Sequence, residues 1–137
     1  SLVLEGNEAI LTVRKESTAK QRETFVNEWY RSLLKEKIEI YLPKWESITG
    51  LICSSWQTKY MTTRWGTCNT QTHKIWLNLQ LAKKPIECLE YVILHELVHL
   101  RFSNHGKDFV ATMDQYMPYW RETRKLLNDL KLDYLEE

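Results

Sequence analysis

Residues 85–100 read Pro85-Ile86-Glu87-Cys88-Leu89-Glu90-Tyr91-Val92-Ile93-Leu94-His95-Glu96-Leu97-Val98-His99-Leu100, and the architecture turns on this stretch. Ile86, Leu89, Val92, Ile93, Leu97 and Leu100 recur at the three-and-four spacing of a helix. Pro85 suits the first turn, and Glu87 lies near the positive end of the helix dipole. Inside this helix sits His95-Glu96-Leu97-Val98-His99. Residues four apart stand one above the other on a helix face, so both imidazoles can reach a single ion. Glu96 is turned about 100° around the axis, away from a ligand position. From there it can lean over water held by the ion and take its proton.

Two histidines do not complete a catalytic zinc site, which usually takes three protein ligands and leaves one position for water. His105, in Asn104-His105-Gly106, is one candidate, because a tight turn past the helix end can swing it back. Gly106 would serve that turn through its freedom at positive φ. Glu122 is the other candidate, since one large class of zinc hydrolases takes a glutamate from a later helix.

Upstream, Phe25, Val26, Trp29, Tyr30, Leu33, Leu34, Ile38 and Tyr41 outline a long amphipathic helix. Ser17 or Thr18 can cap its start, Pro43 should disturb its end, and Gly50 is a plausible stop. Residues 1–14 carry a short β-like stretch, Ala9, Ile10, Leu11 and Val13, after Gly6-Asn7. Two strands are expected at 51–61 and 74–79, joined through Gly66 and the polar loop Asn69–His73 and paired antiparallel. Downstream, a break is expected around Ser103–Gly106, and Pro118 should open a last helix with Trp120, Leu126, Leu127 and Leu130. The fold class is therefore α+β: a long N-terminal helix, a small antiparallel sheet, the His-Glu-x-x-His helix and a C-terminal helix.

The chain has 137 residues, consistent with one domain able to bury a core unaided. Lys plus Arg (19) nearly balances Asp plus Glu (18), so bulk charge recruits neither nucleic acid nor a membrane. No apolar run approaches the roughly 20 residues of a membrane span, and no signal peptide is visible. Cys53, Cys68 and Cys88 are odd in number and widely spaced. They suit small buried thiols in a reducing, cytoplasmic setting better than a disulfide framework. The chain starts at Ser1, not Met, so a longer parent is expected to be an open question.

Thr63-Arg64-Trp65-Gly66-Thr67-Cys68, Ile75-Trp76-Leu77-Asn78, His95-Glu96-Leu97-Val98-His99-Leu100, Asn104-His105-Gly106 and Phe109 together resemble the YgjP-like metallopeptidase family. The chain is more distantly similar to SprT-like zinc peptidases. The matching motifs lie within roughly residues 60–110. The resemblance implies a minimal zincin-type domain with His95, His99 and His105 holding one zinc ion and Glu96 as base. Val110 stands where members often carry Trp, which touches local packing and not the metal ligands. The family usually has a longer N-terminal β-rich part, of which residues 1–14 would be a remnant.

Around the centre, Arg64, Trp65 and Asn78 are candidate substrate contacts, with Arg64–Gly66 offering backbone to an extended peptide as an added strand. Each also has a structural reading: ion pair, core plug and loop anchor. Cys88 lies about 10 Å along the helix from His95, too far to coordinate. Cys68 is a weak ligand or redox candidate, and His73 reads as solvated. Asp108 and Asp114 are candidates to accept from a ligating imidazole, and Tyr116 and Tyr119 to stabilise an oxyanion. The expected activity is zinc-dependent hydrolysis of an amide bond in a peptide or protein, with Glu96 moving the proton. A DNA-associated protease of the SprT type and a metal-binding interaction module are the rival readings. The balanced charge speaks against the first and the intact Glu96 against the second.

Overall fold

In the computed structural model, which describes residues 18–130, the helix at the centre is the most apolar segment of the chain. We number the elements as α1 (Ala19–Thr49), β1 (Ser55–Lys59), β2 (Gly66–Cys68), β3 (Lys74–Asn78), a 3-10 turn (Leu79–Lys83), α2 (Ile86–His99), α3 (Lys107–Tyr116) and α4 (Trp120–Leu130). Because α2 is apolar around most of its circumference, it must be covered on every side. Cys88, Leu89, Tyr91, Val92, Ile93, Leu94, Leu97 and Val98 are all buried, against α1, β2, β3, α3 and α4. The expected β-like stretch at 1–14 and the capping role of Ser17 lie outside the described residues.

Thr18 caps α1: its hydroxyl accepts from the Gln21 amide, and the Gln21 side chain accepts from the Thr18 amide. The core stripe of α1 is Leu34, Ile38, Leu42 and Trp45, so it continues past Pro43 to Gly50, the left-handed cap at φ 76°. Pro43 was expected to disturb the helix, and it does not end it. A proline inside a helix costs about 3 kcal/mol, and anchors on both sides hold the axis through it. Leu42 and Trp45 are buried, and Glu90 of α2 accepts from both the Lys44 ammonium (2.7 Å) and the Trp45 indole (3.0 Å).

The sheet corrects the expected antiparallel pairing. Its order is β1-β3-β2, with β1 parallel to β3 and β2 antiparallel to β3. The unanticipated strand β2 reverses the chain once more between the two expected strands and so flips their relative sense. The turn from β2 to β3 is built by Asn69, whose side chain accepts from the Gln71 and Thr72 amides, and by His73 at φ 65°. Ile75 and Leu77 of β3 enter the core, while Trp76 on the other face carries the Lys59 and Lys74 ammoniums over its ring. Downstream, Ser103–Gly106 breaks the chain as expected, but α3 follows before Pro118. α3 buries only Phe109 and Met113, too short a stripe for the periodicity to stand out. No helix among the described residues is long and apolar enough to cross a membrane.

Candidate metal centre

His95 and His99 project from adjacent turns of α2, and the loop after it returns His105 to them. The His105 Nε2 lies 3.0 Å from His99 Nε2 and 3.1 Å from His95 Nε2. Among the described residues these three are the group whose ligand atoms converge, all within 4.8 Å of one another. The expected positive φ at Gly106 is not found: its φ is −78°. Its amide instead donates to the Asn104 side chain, whose oxygen a Cβ at Gly106 would meet at 2.8 Å. Glu122 is exposed on α4 and stands outside the cluster.

The outer ring nitrogens set the tautomers. His99 Nδ1 faces the Phe102 carbonyl at 3.1 Å, and His95 Nδ1 faces the Glu96 carboxylate at 3.2 Å. A carbonyl or an ionised carboxylate only accepts, so each Nδ1 carries the proton and each Nε2 turns a bare lone pair inward. His105 can offer one N–H to at most one of them. Converging lone pairs are satisfied by a cation. Their spacing also fits one: nitrogens about 2.0–2.1 Å from a tetrahedral zinc stand about 3.3–3.4 Å apart. Burial lowers the titration of both His99 and His105 below the ordinary histidine value, which keeps them neutral and able to ligate.

Phe109 forms the floor, its ring 4.7–5.0 Å from all three imidazoles. Glu96 is 4% exposed and faces the same cleft, of about 600 Å³. Gly66 lets β2 pass directly against it: a Cβ there would meet Val92 Cγ1 at 2.8 Å, the Trp76 carbonyl at 3.2 Å and Glu96 Cγ at 3.3 Å. Arg64, Trp65, Thr67 and Cys68 continue that wall. Cys68 has its thiol pushed up to about 11 by burial, so it is neutral there.

Other sequence candidates lie elsewhere. Asn78 is fully buried and latches the loop before β2. Its side-chain amide donates to the Met61 and Arg64 carbonyls, while its oxygen accepts from the Met61 and Gln80 amides. Asp114 accepts from the Trp120 indole and Arg121, with no imidazole at hand. Asp108 is exposed at the start of α3. Tyr116 and Tyr119 are not in the cleft wall; Tyr91, which the sequence did not single out, is. Its signal was its place four residues before His95, on the same face of the helix.

A His-Glu-x-x-His helix carrying a third converging histidine, set beside a short sheet, has the layout of a metallopeptidase domain. The chain belongs to the YgjP-like family, whose metallopeptidase domain profile matches residues 1–130. Its fold is similar to that of jannalysin from Methanocaldococcus jannaschii, described from its crystal structure as a metallopeptidase zymogen. The TM-score is 0.58 at 24% identity, over 68% of this chain and 96% of that one. A search of curated proteins gave no significant match.

Proposed function

We propose that the chain is a zinc-dependent peptidase in which His95, His99 and His105 hold one zinc ion and Glu96 is the general base. The observation that carries this reading is the inward convergence of three Nε2 atoms beside a buried carboxylate. When bound, zinc supplies an acidified water and a polarised carbonyl. Glu96 takes the proton from the attacking water and passes it to the leaving amine. Its burial keeps that proton from exchanging freely with solvent.

The edge of β2 away from β3 has no strand on it among the described residues and borders the cleft through Arg64–Cys68. An extended peptide can add there as a further strand, its scissile bond carried past Glu96. Because such pairing uses backbone along a chain, it favours internal bonds and hence an endopeptidase.

Zinc analysis with a broad peptide-library cleavage assay tests the reading. Glu96→Gln should keep its zinc and lose about 10²–10⁴-fold in kcat; turnover near the wild-type rate would remove Glu96 from its role. His105→Ala should lose most zinc affinity. If Glu122→Ala loses it instead, the third ligand is Glu122.

A further inference from the structure

The cleft wall holds one carboxylate, Glu96, against two guanidiniums, Arg64 from the loop before β2 and Arg124 from α4. Three cations outside the cleft pair with carboxylates: Arg31 with Glu28, Lys44 with Glu90 and Arg121 with Asp114. Arg64 and Arg124 have no carboxylate partner among the described residues. The Arg124 guanidinium rests over the Trp120 indole, 5.5 Å from its centre. Stacking on a ring face restricts the side chain and leaves the N–H edge of the fork free for a ligand.

Tyr91 adds an uncharged donor. Its ring is parallel to that of Trp120 (2°, 6.4 Å) and packs on His95 at 5.7 Å. Only 6% of it is exposed, yet it forms part of the cleft wall, and its hydroxyl has no hydrogen-bond partner among the described residues. An acceptor bound in the cleft can therefore take its O–H without displacing a protein partner. Tyr91, Arg124 and His105 all line this cleft, and the Trp120 indole packs against both Tyr91 and Arg124. These groups therefore share one end of the cleft.

We propose that Arg124, with the Tyr91 hydroxyl, forms a carboxylate-binding subsite beside the scissile bond, in a cleft whose wall carries Arg64 as a second cation. The preferred substrates are then peptides that present a carboxylate there, from an acidic side chain or a free C-terminus. A forked guanidinium and a phenol match the planar, four-lone-pair carboxylate better than any neutral side chain. The inference rests on the peptidase reading, which supplies the peptide.

The test uses peptide pairs that differ only by Glu or Gln at each position flanking the cleaved bond, and pairs that end in a free acid or an amide. With the zinc-loaded chain, kcat/KM should favour at least one carboxylate-bearing member by tenfold or more. The Glu/Gln arm and the acid/amide arm tell the two carboxylate sources apart. Arg124→Gln should bring that ratio to within twofold of one, Arg124→Lys should restore part of it, and Arg121→Gln, a charge change outside the cleft, should leave it intact. Binding of the same pairs to zinc-loaded Glu96→Gln reads the subsite without turnover. A tenfold binding preference that Arg124→Gln removes supports the subsite even if no peptide is cleaved, in which case the hydrolytic reading is what fails. Ratios within twofold in every pair, in cleavage and in binding alike, overturn the subsite.

Discussion

His99 shows how much of a candidate metal site is set by atoms that would never touch the ion. The Phe102 carbonyl holds its Nδ1 proton, Phe109 packs against its ring at 4.7 Å, and burial lowers its titration below 6.5. His105 is shifted in the same direction by the same cause. Only a neutral imidazole ligates, so protons compete with zinc where these groups titrate. The sign follows: a lowered value leaves the ligands neutral above it, and affinity falls only as pH drops through it. Zinc affinity, measured by competition with a chelator of known pH dependence, should therefore lose the His99 and His105 contributions only below the ordinary histidine value of 6.5. A decline starting above pH 7 would mean that burial does not protect the ligands. At this scale the sequence was informative where spacing dictates geometry. His95, Glu96 and His99 follow from helical periodicity alone, but the partners of their outer atoms do not. Asp108 and Asp114 were reasonable acceptors by type, yet a backbone carbonyl fills the role at His99, and backbone has no signature in side-chain sequence.

Between elements, the contact that matters most is β2 against α2. Gly66 lies where the strand passes Val92 and Glu96, and the nearest backbone atom to a new Cβ would be the Trp76 carbonyl of β3. That carbonyl belongs to the sheet and cannot swing aside as a side-chain end can. Gly66→Ala should therefore press β2 away from α2 and push the Glu96 side chain aside, at a cost of about 1–3 kcal/mol. Thermal unfolding should report the loss, and kcat should fall more than KM rises, if the displaced group is the proposed base. Wild-type kcat with only lowered stability would show that Glu96 keeps its position. β2 explains why the sheet was partly illegible. Three residues, Gly66-Thr67-Cys68, are too few to display an alternation, and missing them inverted the expected sense of β1 against β3. α3 hid for a related reason, with two buried residues in ten. Long elements with a wide apolar stripe, α1 and α2, were legible, although the stripe of α1 ran through Pro43 where local propensity argued for a stop.

For the whole molecule, the question is whether the metal holds the fold or the fold holds the metal. The core runs from Leu34, Ile38 and Leu42 of α1, through Ile75 and Leu77 of β3, to Leu89, Ile93 and Leu97 of α2. α3 and α4 close it with Phe109, Met113, Trp120 and Leu127. None of these side chains needs an ion, and the imidazoles sit at the rim of this core, not within it. Small zinc domains that unfold without metal lack such a core. Chelation should therefore leave the chain cooperatively folded, with helix content by circular dichroism nearly unchanged, and lower the Tm. The size of the drop follows from mass action. Free zinc at 100 times its Kd stabilises by about 2.7 kcal/mol, and each kcal/mol shifts a domain of this size by about 3–4 °C. A fall of about 8–11 °C is the expected result, and the metal-free His95→Ala chain should melt near the chelated wild type whatever the zinc concentration. Collapse of the helical signal on chelation would instead place the metal among the forces that fold the chain, and the core described here would be insufficient without it.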